Sequence, residues 1–187
     1  MISVFRTKIK TKDGREILVR EPRKKDLNEI WKFISAQIKD ETADGLGMTK
    51  APSLKEEKDW LENKLKDIKK KKTIYLLLER NGRVVGSSDI ERKTGRQEHT
   101  ANFGIVIDRE YRGQGLGTKL MSIVLKLAKE RMKGLKIIYL DCISYNRGAQ
   151  KLYKKVGFKR VATIPSACMN KGKLYNKIVM IYYLRGG

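Results

Sequence analysis

The sequence predicts an α/β (α+β) domain: a mixed, mostly antiparallel central sheet of about seven strands flanked by four helices. Three observations carry that expectation. Short apolar runs of strand length alternate with segments whose apolar residues recur every third or fourth position. Asn81-Gly82 joins two of the apolar runs, a strong hairpin signal. A further run ending at Ile107 is followed by glycines at 113, 115 and 117 and then by a helical pattern. No internal repeat, low-complexity tract or Pro/Gly/Ser-rich linker divides the chain, so residues 1–187 are expected to form a single domain.

The elements follow in order. Glu16 to Arg20 reads as a first strand, stopped by Pro22. Asp26 to Ser35 reads as a helix with Leu27, Ile30, Trp31 and Ile34 on one face, and Asp40 to Pro52 as a loop. Leu54, Leu61, Leu65 and Ile68 mark a second helix, and its lysine run at 69–72 suits a solvated C-terminus. Ile74–Glu79 and Val84–Ile90 form the predicted hairpin, and Thr100–Ile107 the next strand. After the glycines, Leu120, Met121, Val124, Leu125 and Ala128 share one face of a third helix. Lys136–Cys142 is rich in β-formers, and Arg147–Val156 is a fourth helix closed by Gly157 in a left-handed conformation. Phe158–Ile164 and Lys177–Leu184 are the last predicted strands, around a loop at Lys171-Gly172-Lys173. The order is β-α-α-β-β-β-α-β-α-β-β.

Composition narrows the function. The formal charge is +22, and it is uneven. Residues 1–72 carry 20 Lys+Arg against 13 Asp+Glu, whereas residues 73–187 carry 23 against 8. A field of that sign favours polyanions, either phosphorylated cofactors or nucleic acid, including a ribosomal surface. Cys142 and Cys168 make no disulfide framework, no run approaches the roughly 20 apolar residues of a membrane span, and MISVFRTKIK lacks a signal-peptide core. A cytoplasmic protein with no membrane partner is therefore expected. With His99 as the single histidine, a histidine-rich metal site is excluded, and no metal is expected.

The stretch EYRGQGLGTKL at 110–120 asks for a bare backbone at three alternate positions. Its spacing fits neither the dinucleotide fingerprint nor the P-loop, whose lysine and threonine stand in the opposite order. Lying between a strand and a helix start, its amides from Gln114 to Thr118 can converge on an anion with the positive end of the helix dipole, and Arg112 and Lys119 lie nearby as counter-charges. A phosphate-binding loop is expected.

Arg112-Gly113-Gln114-Gly115-Leu116-Gly117 resembles the Q/R-x-x-G-x-G/A signature of the GNAT N-acetyltransferase superfamily. Asn146 to Tyr153, followed by Gly157-Phe158, is similar to that family's N-x-x-A-x-x-L-Y-x-x-x-G-F motif. The match is firm over residues 73–158 and looser outside them. The resemblance implies an acetyl-CoA site, with acetyl-CoA as co-substrate. Backbone groups of Ile105, Val106 and Ile107 would meet the pantetheine arm. The amides of Gly113, Gln114, Gly115, Leu116, Gly117 and Thr118 would cradle the pyrophosphate. Asn146 matches an asparagine that hydrogen-bonds the cofactor, and capping of the helix at 147 is an equally good role for it.

Acetyl transfer to an amine needs a neutral nucleophile and a proton for the departing thiolate. Tyr153 stands two helical turns from Asn146 on the same face, and the family often uses the matching tyrosine as the acid; packing beside Leu152 and Val156 is its other role. Asp141, in Leu140-Asp141-Cys142, aligns with the L-E-V strand of ribosomal-protein alanine acetyltransferases, whose glutamate is a base. It is one methylene shorter, which calls for a water relay, and an exposed strand carboxylate is the alternative. Glu98 and His99 are lesser candidates. The acceptor is a primary amine, either a protein N-terminus or a small molecule; a basic nucleic-acid-binding module is the reading outside the enzyme class. Asp40, Glu41 and Asp44 form an acidic loop beside Gly45 and Gly47. In the family this connection commonly lines the acceptor side, where it would draw in a cationic amine; a solvated loop with turn-forming acids is the alternative reading. Nothing in the sequence fixes the oligomeric state, and a dimer is open.

Overall fold

The computed structural model describes residues 5–40 and 50–184, which build an open eight-stranded sheet and four α-helices. The strands are β1 (Arg6–Lys10), β2 (Glu16–Arg20), β3 (Thr73–Arg80), β4 (Arg83–Arg92), β5 (Thr100–Ile107), β6 (Ile137–Ile143), β7 (Lys159–Asn170) and β8 (Lys173–Tyr183), in the order β1-β2-β3-β4-β5-β6-β8-β7. Every neighbouring pair is antiparallel except β5 with β6.

The sheet holds one more strand than the sequence predicts. In β1 Ile9 is the single apolar residue, among Arg6, Thr7, Lys8 and Lys10, so the strand reads as a polar terminus. Pairing with β2 from Arg6 opposite Arg20 to Lys10 opposite Glu16 makes it the edge strand, with Ile9 turned onto the core. The last two strands are also longer than expected. They meet at the tight Lys171-Gly172 turn, and β7 is interrupted between Ile164 and Cys168, where Ser166 takes a left-handed φ of 52°.

The helices sort to the two faces. α1 (Leu27–Lys39) and α2 (Leu54–Lys69) cover one face through Ile30, Phe33, Ile34 and Leu61, packed on Tyr75, Leu77 and Val84. α1 runs a turn beyond its predicted end, and its inward side is set by Phe33 and Gln37 rather than by Trp31, whose Nε1 donates to the Pro52 carbonyl at 2.8 Å. Ser53 starts α2 with a reciprocal cap: its hydroxyl accepts from the Glu56 amide, and the Glu56 carboxylate accepts from the Ser53 amide.

α3 (Leu116–Arg131) and α4 (Arg147–Val156) lie on the other face. Leu120, Met121, Val124 and Ala128 of α3 close over Leu76, Leu78, Phe103 and Ile138. Because strand side chains alternate, even-numbered residues of β6 face α3 and α4 while Asp141 faces the α1/α2 side.

The one parallel pair shapes the site. β5 and β6 are in register only from Thr100 opposite Ile137 to Asn102 opposite Tyr139. Beyond Asn102 they part, and the sheet splits in its middle.

Candidate active site

The glycine loop stands at the end of β5, beside the split. A short 3-10 turn at Arg109–Tyr111 leads into it, and Gly113 (φ 73°) and Gly115 (φ 79°) both take left-handed backbone, which a side chain would strain. Gly115 is also the N-cap of α3 and has no side chain to cap with. The amides of Gly113 through Thr118 consequently have no acceptor among the described residues. Six amide donors at a helix N-terminus make a cradle for a phosphate.

Gly117 serves a different purpose. Its φ is not left-handed, but a Cβ there would lie 2.8 Å from Leu152 Cδ2, so this glycine lets α3 approach α4. The charges expected near the loop are also engaged elsewhere. Arg112 donates to the Ile107 carbonyl at 2.8 Å and to Gln37 and Asp40 of α1 at 3.2 and 2.9 Å. Lys119 donates to the Lys10 carbonyl at 2.6 Å. The cation packed on the loop is Lys12, which sequence reading missed. Its amide donates to Gln114 O at 3.1 Å, and its stem passes 3.8 Å from the place of a Gly115 Cβ. Arg15 steadies the same turn, with its guanidinium 4.7 Å from the Tyr111 ring. Only the Lys12-Asp13-Gly14 turn signal could have pointed there.

On the split itself, Ile105, Val106 and Ile107 lie past the last residue of β5 that pairs with β6. Their main chain on that edge is open to an extended ligand, the way a strand takes a new neighbour. Asn146 caps α4, its Oδ1 accepting from the Ala149 amide at 3.0 Å. Tyr153 is 8% exposed and its ring packs toward Phe158, with centroids 6.2 Å apart. Its hydroxyl has no hydrogen-bond partner among the described residues. Burial, then the neighbouring Cys142 and Asp141, push its pKa well above the ordinary phenol value, so it stays protonated. The Cys142 thiol is pushed up to about 11, first by burial and then by Asp141.

These two candidate catalytic residues lie on opposite faces of the sheet. Tyr153 belongs to the α3/α4 side, and Asp141 is exposed on the α1/α2 side of β6. The split between β5 and β6 is the passage that connects them. Glu98 and His99 precede Thr100, at the closed end of the β5–β6 pair where His99 O accepts from the Lys136 amide, so they stand apart from the split.

The family profile described as "Acetyltransferase (GNAT) family" matches residues 37–158, which include the loop, the split and α4. The chain belongs to the GNAT family. Among its relatives, "Probable N-acetyltransferase camello" of Xenopus tropicalis is 29% identical over 128 residues, covering 67% of this chain and 56% of that protein. The chain spans about half the length of the curated relatives it matches, 49% for the corresponding Xenopus laevis protein. Two solved structures share the fold. The ribosomal-protein-alanine N-acetyltransferase of Brucella melitensis has a TM-score of 0.77 at 21% identity, covering 89% of this chain and 99% of that one. A phosphinothricin acetyltransferase of Sinorhizobium meliloti, solved with acetyl-CoA, has a TM-score of 0.75 at 16% identity, covering 89% of this chain and 87% of that one.

In this GNAT chain Asp40 follows the last residue of α1 and pairs with Arg112 at 2.9 Å. Glu41 and Asp44 lie outside the described residues. Among the described residues no group of three His, Cys, Asp or Glu could hold a metal, and no helix is long and apolar enough to cross a membrane.

Proposed function

We propose that the chain is an acetyl-CoA-dependent N-acetyltransferase that moves acetyl to a primary amine directly, without a covalent enzyme intermediate. One observation carries the reading: a cradle of unpaired amides at 113–118 stands at the mouth of a split between β5 and β6 that ends near a protonated, buried Tyr153. The amides fit a pyrophosphate, Lys12 adds a positive charge beside them, and the open edge at Ile105–Ile107 fits a pantetheine arm. Acetyl-CoA supplies an activated acetyl thioester. Tyr153 is placed to give its proton to the leaving sulfur, and Asp141, on the other side of the split, to take the amine proton through a water. Asn146 holds the start of α4, which fixes where Tyr153 stands.

A protein N-terminus is the acceptor we favour. The likeness to the Brucella ribosomal-protein-alanine enzyme supports it, and an α-amine of pKa about 8 is more readily neutral than a lysine at about 10.4. A small amine or amino acid is the second reading, supported by the likeness to the Sinorhizobium enzyme. The test is thiol release from acetyl-CoA against a panel of N-terminal peptides, amino acids and simple amines. Release that depends on one acceptor class supports the proposal. No release above spontaneous hydrolysis with any acceptor overturns it, and tight binding to oligonucleotides instead would favour a nucleic-acid module.

A further inference from the structure

The glycines that open the amide cradle also leave its backbone slack. Gly113 and Gly115 take left-handed φ angles without strain, but they restrain the chain less than residues with a side chain. A cradle of six amides binds best when it is held in place beforehand, since ordering it on binding costs affinity. On the β1 side it is held by backbone and lysine contacts: the Lys12 amide donates to Gln114 O at 3.1 Å, and Lys119 Nζ to the Lys10 carbonyl at 2.6 Å. On the α1 side the hold runs through Arg112, which directly precedes Gly113.

Arg112 joins three parts of the fold. It follows the 3-10 turn at Arg109–Tyr111 with extended backbone, at φ −70° and ψ 155°. Its Nε donates to the carbonyl of Ile107, the last residue of β5, at 2.8 Å. Its Nη2 donates to Gln37 Oε1 at 3.2 Å and to Asp40 Oδ2 at 2.9 Å. Gln37 is 3% exposed, inside the packing of α1, and the Asp40 amide closes that helix by donating to the Ala36 and Gln37 carbonyls. A guanidinium suits such a place, because its donors leave in fixed directions and reach separate acceptors at once. A lysine ammonium is instead a point charge on a flexible stem. α1 lies on the sheet face toward which Asp141 turns, whereas the cradle leads into α3 on the other. Arg112 therefore ties one helix layer to the other at the mouth of the split.

We propose that Arg112 is a positioning residue: it fastens the cradle to the end of α1 and acts on the cofactor through the backbone at Gly113, not as a counter-charge to phosphate. The proposal rests on the reading above in which the amides at 113–118 hold the pyrophosphate. It makes Asp40, on the far side of the ion pair, a determinant of cofactor affinity.

The test is calorimetric titration of coenzyme A, at low and at high salt, into wild type, Arg112→Gln, Arg112→Lys, Asp40→Asn and the double variant Arg112→Gln/Asp40→Asn. Circular dichroism checks that each is folded. High salt screens the long-range effect of the charge changes. There, both Arg112 variants should bind about threefold or more weakly, lysine no better than glutamine. Asp40→Asn should weaken binding too, and the double variant should be no worse than the weaker single. A counter-charge predicts the opposite: lysine would keep the affinity, and Asp40→Asn would leave it unchanged or strengthen it. Either of those results, or losses that add in the double variant, overturns the proposal. A second measurement needs no ligand. The Tyr111 and Arg112 amides are hydrogen-bonded in the turn before the cradle, and their hydrogen exchange should quicken in Asp40→Asn. Unchanged exchange overturns the tie. Failure of wild type to bind coenzyme A, with exchange quickened in the variant, would contradict the acetyltransferase reading and leave the tie standing.

Discussion

Replacing Gly117 with alanine tests whether the three glycines of the loop have different tasks. The new Cβ would sit 2.8 Å from Leu152 Cδ2, whereas carbon atoms rest about 3.5–4.0 Å apart. Leu152 must therefore yield by about 1 Å, with α4 or by rotamer change. Overpacking of this size costs about 1–3 kcal/mol. Tyr153 is the next residue along, so a shift of α4 moves the proton donor, and a misplacement of about 1 Å can cost about 100-fold in rate. The amide at 117 survives the substitution, so affinity for coenzyme A should hardly change. The assay combines urea denaturation, calorimetry with coenzyme A and steady-state kinetics on Gly117→Ala, Leu152→Val and the double variant. The double variant should recover about 1 kcal/mol or more relative to the sum of the singles, because valine withdraws the clashing methyl. Strict additivity, or weakened coenzyme A binding at unchanged stability, would refute the packing argument and return Gly117 to the phosphate cradle.

Three further outcomes follow from the geometry. Tyr153→Phe keeps the ring and removes the hydroxyl, so kcat should fall by about 10–100-fold with little change in melting temperature; an unchanged rate with chemistry limiting would assign the residue to the core. Lys12→Ala should weaken coenzyme A binding about fivefold at low salt and less at high salt, and an effect independent of salt would remove the lysine from the phosphate site. Burial raises the Glu57 pKa in the fold above its unfolded value, so ionisation there opposes folding. Stability should increase as pH falls through the folded pKa toward the unfolded one, and Glu57→Gln should flatten that part of the profile in urea titrations. An identical profile in the variant would contradict the burial argument.

The sequence made legible those features whose constraint is local. Asn81 and Gly82 both take left-handed backbone, with φ of 50° and 79°, as the hairpin signal requires. Gly157 likewise ends α4 at φ 109°. β1 was hidden because its lysines and arginine leave it with too few apolar residues, and the second half of β7 because Pro165 and a largely exposed surface leave no hydrophobic pattern beyond Ile164. In the site, the loop was readable from its glycines, but the partners of its charges were not: Arg112 meets Asp40 across 72 positions of sequence. Glu57 illustrates the same limit. In the first turn of α2, beside Glu56, it reads as an acid favouring the helix N-terminus. Only the fold shows that it is buried.

The central claim, that the amide cradle and the split hold coenzyme A, is tested most directly by calorimetric titration of coenzyme A into the wild-type chain and into Gly115→Glu, with circular dichroism to confirm that the variant is folded. The account predicts saturable one-to-one binding to wild type and none to the variant, whose carboxylate would stand in the phosphate cradle. No binding to wild type, or equal affinity in the folded variant, would contradict it.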